Sequence, residues 1–137
     1  GWWTGKDLQW RQQLNLYPND EMGPQERADR IVDREQLLAA LDDLNVIDMS
    51  KAPAQAPAKM NTELSIAVQK YMAQAPSHIQ LIPLEDALEI VEQVNIPGTI
   101  DEHPNWRQKL PVLLEEFFQQ NSVTAIAEAM QQARPKH

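Results

Sequence analysis

The chain contains no cysteine among its 137 residues, so neither a disulfide framework nor a thiolate metal site can form. Only three histidines are present, one of them the last residue. A histidine-based metal centre would therefore have to recruit distant carboxylates, and none is read here. No apolar run approaches the ~18 residues that a membrane-spanning helix needs. The opening residues lack a basic region followed by an apolar one, so no signal peptide is read there. No glycine-rich phosphate loop and no Ser-His-Asp grouping occurs. Basic residues are in the minority: 12 Lys and Arg stand against 20 Asp and Glu, a net charge of −8. This excess argues against nucleic acid and anionic membranes as partners. A neutral ligand is compatible with it. The absence of cysteine and of targeting signals suits a cytoplasmic protein.

What is present is enough for one region with a modest core. The reading is mainly α, with one short strand. A first helix is expected from Thr4 to Leu14 and a second from Gly23-Pro24. The second places Ala28, Ile31, Val32, Leu38, Leu41 and Leu44 on one apolar face. Residues 50–59, with two prolines and no large apolar side chain before Lys59, read as a loop. A third helix is capped near Asn61 or Thr62 and reaches Gln74, with Leu64, Ala67, Val68, Tyr71 and Met72 as its face. His78 to Ile82 alternates, is β-branched and ends at Pro83, which predicts the one strand. A short helix from Pro83 to Val91 follows. Another is expected from Trp106, capped by Asn105 and broken at Pro111, carrying Leu110, Leu113, Leu114, Phe117 and Phe118. A last helix runs from Ser122 to Ala133.

The stretch from Asn95 to Arg107 is the most specific in the chain. Pro97 fixes φ and Gly98 is free to take positive φ, so a type II turn is expected. Residues before proline avoid the helical region, which keeps Ile96 and His103 extended. Acidic residues supply weaker signals. Glu85 and Asp86 adjoin the predicted strand, but neighbours on a helix point about 100° apart and suit the helix dipole better than paired acid–base work. Asp101, Glu102 and His103 read as a solvated cluster. Trp2 and Trp3 can each stack on a sugar face or pack into a core.

These motifs together resemble the C-terminal part of the 4-α-glucanotransferases (amylomaltases, disproportionating enzymes). Asn95-Ile96-Pro97-Gly98-Thr99 is similar to their N-x-P-G-T loop, and Asn105-Trp106-Arg107-Gln108-Lys109-Leu110 to N-W-R-x-K-L. The segment His78 to Asp86 resembles the last barrel strand and its P-L-E-D exit. Gly1-Trp2-Trp3 resembles the G-W-W that follows the family's T-H-D motif. The resemblance implies a (β/α)8 barrel with this chain as one region, 1–137, at its C-terminal end. It also implies retaining transfer of α-1,4-glucan segments between malto-oligosaccharides, without cofactor or metal. On this reading the catalytic carboxylates lie upstream and none is in this chain. Asn95 is implied in substrate binding, with Trp2 and Trp3 beside the glucan site. The piece alone is expected to be inactive. It is also expected to self-associate, because Ile79, Leu81, Ile82 and the second helix's stripe would lack their barrel neighbours. An acidic, all-helical interaction module presenting Phe117 and Phe118 is the alternative.

Overall fold

The computed structural model describes residues 1–47 and 59–135. Most of the expected proline-containing loop, and the chain's last two residues, lie outside the described residues. The architecture is helical: α1 (Lys6–Gln13), α2 (Met22–Asp43), α3 (Thr62–Ala73), α4 (Leu84–Ala87), a 3-10 turn at Leu114–Gln119, and α5 (Asn121–Ala133).

Helix boundaries follow local chemistry. Asn61 is extended and its side chain accepts from the Leu64 amide at 2.8 Å, which starts α3 where the sequence places it. The start of α2 lies one residue before Gly23, with Asn19 Oδ1 accepting from the amides of Glu21 and Met22. α1 and α2 close on asparagines in the left-handed region, Asn15 (φ 51) and Asn45 (φ 53). Each closure returns an amide to a carbonyl five residues earlier, Leu16 to Arg11 and Val46 to Leu41.

Two apolar clusters make the core. Trp3, Leu38, Leu41, Leu64 and Ala67 form the first. Ala87, Phe117, Val123 and Ile126 form the second, with Ile66 and Ile82 against it. α3 serves both, through Leu64 and Ala67 on one side and Ile66 on another. It packs on α5 and on α2.

Three expectations are corrected. No strand forms among the described residues. His78–Ile82 makes no backbone ladder, because no strand lies beside it among the described residues. Its side chains still alternate: Ile79 and Leu81 are 75% and 84% exposed, while Gln80 and Ile82 are half-buried. The helix expected from Trp106 is absent too. Trp106 sits at φ 60 and its amide donates to Val94 O at 2.7 Å, which turns the chain away from a helical path. Only the 3-10 turn at Leu114–Gln119 survives of that element. Phe117 is buried there and Phe118, edge-on to it at 5.3 Å, is 73% exposed, so the two do not make a shared exposed face. Finally, the stripe of α2 is only partly buried. Leu38 and Leu41 are in the core, while Ile31 and Val32 are more than half exposed.

Position in this packing sets the cost of truncation. Leu64→Ala, at a 2% exposed site, should lower unfolding free energy by about 2–5 kcal/mol. Leu81→Ala at the open segment should change it by less than about 0.5 kcal/mol. Urea denaturation followed by circular dichroism measures both. Equal losses would contradict the core assignment.

Candidate functional site

Two features converge near the N-terminus of α1: a cleft beside Trp2 and a loop tied down by Asn105. α1 itself anchors both. The Trp10 indole N–H donates to Glu92 at 3.0 Å, and Lys6 pairs with Glu92 at 3.2 Å. Burial pushes the Glu92 carboxyl up, but the Trp10 and Lys6 contacts outweigh it and hold the group below its ordinary range. A β-carbon on Gly1 would meet Val91 O at 3.0 Å and Gln93 Cγ at 3.6 Å. The opening residues therefore lie against the segment that leads to Asn95.

Arg30 fixes the tryptophan pair. Its guanidinium makes two bonds to Asp7, 2.9 and 2.8 Å, and donates to Trp2 O at 2.5 Å. It also lies 4.6 Å from the Trp2 ring centroid. Burial pushes the Asp7 carboxyl up, but the paired Arg30 hydrogen bonds bring it down below the usual carboxylate range. Arg34 lies over Trp3 at 4.7 Å. Trp3 is 4% exposed and belongs to the core, while Trp2 is 41% exposed at the surface.

A cleft of about 200 Å³ opens beside this pair. Trp2, Trp3, Ser65, Gln69, Asp86 and Glu89 are among its lining residues. Asp86 occupies the first turn of α4, as its dipole preference suggests. Glu89 stands at φ 57, a conformation uncommon outside Gly and Asn, and accepts from Thr62 Oγ1 at 2.5 Å. No spacing in the sequence marks Ser65, Gln69 or Glu89. The usable signal is that Ser65 and Gln69 sit in a helix whose remaining residues are largely apolar.

The loop from Gln93 to Trp106 forms the second feature. Thr99 N donates to Ile96 O at 3.2 Å and Gly98 takes φ 89, so the Pro97-Gly98 turn forms as expected. Asn105 closes the loop rather than capping a helix. Its side-chain oxygen accepts from Ile96 N at 2.8 Å, and its nitrogen donates to Thr99 Oγ1 at 2.8 Å and to Thr99 O at 3.2 Å. His103 is 3% exposed and donates Nε2–H to Gln93 O at 3.0 Å, edge-on to Trp10. The Glu102 carboxylate accepts from the amides of Ile100 and Asp101, which keeps it below its ordinary range. The acidic run is thus a local turn and not a shared cluster with His103. Among the described residues no group of three His, Cys, Asp or Glu could hold a metal ion, and no helix is long and apolar enough to cross a membrane.

Asn95 is half-buried at the start of this turn, and its side chain makes no hydrogen bond among the described residues. It does not line the Trp2 cleft. The structure therefore brings Trp2 and Trp3 together and sets Asn95 on the adjoining loop.

A helical region that carries a clamped turn and an aromatic, carboxylate-lined cleft suits a carbohydrate-active protein. Residues 1–115 match the family described as 4-alpha-glucanotransferase. A 4-alpha-glucanotransferase of Mycobacterium tuberculosis (strain H37Rv) is 30% identical over 139 residues, which is 97% of this chain and 18% of that protein. One from Haemophilus influenzae is 26% identical over 132 residues, 96% of this chain and 19% of the relative. The chain belongs to the 4-alpha-glucanotransferase family. It spans less than a fifth of the length of these curated relatives.

Removing the clamp tests the loop's construction. Asn105→Ala leaves the Ile96 amide and the Thr99 carbonyl without their side-chain partner, while the Thr99 hydroxyl keeps its bond to Ile96 O, at a cost of about 1–3 kcal/mol. Hydrogen exchange at the Ile96 amide should accelerate while exchange within α3 changes far less. Unchanged Ile96 exchange would mean the clamp contributes nothing to the turn.

Proposed function

We propose that this chain is the C-terminal region of a retaining 4-α-glucanotransferase, a cytoplasmic enzyme that moves α-1,4-glucan segments between malto-oligosaccharides. The observation that carries the reading is the family match over residues 1–115. Residues 1–137 then form one region of a (β/α)8 barrel. The alternating exposure of Ile79 to Ile82 leaves one face of this extended segment open, the face that a barrel interior would cover. The interaction-module reading is not favoured, since Phe117 is buried and only Phe118 is exposed.

Retaining glycosyl transfer needs two carboxylates about 5 Å apart, one the nucleophile that forms the glycosyl-enzyme and one the acid/base. Glu85 and Asp86 are adjacent in one helical turn and do not face each other. We assign the catalytic pair to the remainder of the parent protein. This region supplies contacts instead. Asn95 presents an amide with no internal hydrogen bond, on a turn held rigid by Asn105, which suits a hydrogen bond to a sugar hydroxyl. Trp2 offers an exposed aromatic edge.

The complete enzyme should convert maltotriose to glucose and longer maltodextrins, and the 137-residue chain should not. Asn95→Ala in the complete enzyme should lower kcat/KM by about 1–3 kcal/mol of transition-state stabilisation. Chromatography of the products reads both. No transfer by the complete enzyme would refute the functional assignment, and native kcat/KM in the variant would leave Asn95 a turn residue only.

The chain on its own should self-associate. Ile79, Leu81, Leu113, Leu114 and Phe118 are each at least 66% exposed, an apolar load that tends to find a partner. Sedimentation equilibrium at tens of micromolar should give a mass above 15.6 kDa. A clean monomer would show that these side chains tolerate water.

A further inference from the structure

The backbone on both sides of Asn95 is tied to one short run, His103 to Trp106. Gln93 O accepts from the His103 ring at 3.0 Å and Val94 O from the Trp106 amide at 2.7 Å, while the Ile96 amide donates to Asn105 Oδ1 at 2.8 Å. Asn105 therefore holds the chain after Asn95, and His103 holds it before. The His103 ring is braced from a second element. It lies edge-on to Trp10 of α1, with ring centroids 5.4 Å apart. Trp10 in turn donates its indole N–H to Glu92, the residue before Gln93. An unbroken line of contacts thus runs from α1 through a buried imidazole to the carbonyl two residues before Asn95.

The imidazole is kept there at a cost. A carbonyl can only accept, so the contact with Gln93 O fixes a proton on Nε2. In the neutral ring Nδ1 is then a bare acceptor, and it is buried with no hydrogen-bond partner among the described residues. A buried acceptor without a donor is destabilising, and a fold that keeps one needs a reason for it. Packing does not supply the reason. A phenylalanine would fill the same space against Trp10 and strand no polar atom. What a phenylalanine lacks is a donor for Gln93 O. The histidine is therefore explained by the one bond it makes, and that bond fixes the approach of the chain to Asn95.

We propose that His103 is a positioning residue for the transfer reaction: its Nε2–H, braced by Trp10, holds the Gln93 carbonyl and so sets the direction in which the Asn95 amide is presented. The proposal rests on the reading of Asn95 as a substrate contact. The test uses the complete enzyme. His103→Gln keeps a side-chain N–H near the reach of Nε2, and His103→Phe keeps the aromatic bulk without it. Circular dichroism confirms folding, and if the phenylalanine variant does not fold, His103→Asn, whose shorter amide cannot reach Gln93 O, replaces it. With maltotriose, His103→Phe should lower kcat/KM about 3- to 10-fold, the loss expected for one hydrogen bond, and His103→Gln should recover most of it. In an Asn95→Ala background His103→Phe should cost nothing further, because a residue that acts through Asn95 then has nothing left to place. Hydrogen exchange at the Trp106 amide should quicken in His103→Phe and stay native in His103→Gln. Native kcat/KM in His103→Phe overturns the proposal, as do equal losses in the phenylalanine and glutamine variants. If Asn95→Ala is defective and the His103→Phe loss simply adds to it, the role of His103 alone is refuted. Full activity in Asn95→Ala would refute the reading of Asn95, and this proposal with it.

Discussion

One helix has to be buried on two sides at once, and the rest of the molecule follows from that demand. α3 supplies two buried members of one apolar cluster, Leu64 and Ala67, and packs Ile66 against the other. Neither cluster is large. The small side chains of Ala67 and Ala73 are buried at its contacts, as is Ala129 on α5. Small residues there let helices approach closely, so tight packing substitutes for bulk in a chain with only 6% aromatic residues. The remaining face of α3 carries Ser65 and Gln69, which is why a polar cleft lies directly against a hydrophobic core.

Outside that core, long-range order comes from a few multivalent polar side chains. Arg30 ties Asp7, the Trp2 carbonyl and the Trp2 ring to α2. Asn105 does for the loop what a paired strand would do, satisfying an amide, a carbonyl and a hydroxyl with one side chain. Such contacts fix direction as well as distance, so a turn of few residues can be held with little apolar burial. Lys6 and Trp10 of α1 and His103 of the loop add ties to Glu92 and Gln93.

Local rules recovered the parts of this structure that local chemistry decides. Asn61 as a cap and Pro97-Gly98 as a turn form as the sequence indicates, because each depends on a few adjacent atoms. The family, too, was legible, since its motifs are short contiguous strings. Where the outcome hangs on a distant partner, the sequence misleads. His78–Ile82 has strand composition and no strand beside it. Asn105 has the composition of a helix cap, and its side chain instead reaches Ile96, nine residues back. Ser65 and Gln69 gave no periodic signal, because the cleft they line forms only when Trp2, Asp86 and Glu89 arrive from elsewhere. α2 showed six apolar positions, and packing used only two of them fully.

The backbone of Glu89 sets stability against chemistry at a single position. A left-handed residue other than Gly costs on the order of 1 kcal/mol, which glycine would remove. A lineage selected for thermal robustness alone would drift toward glycine here and lose a carboxylate from the cleft. A lineage that needs the carboxylate would keep the strained residue and recover the deficit elsewhere, in part through the bond from Thr62. Which residue occupies this position across divergent sequences therefore records whether the cleft or the fold was under the stronger selection.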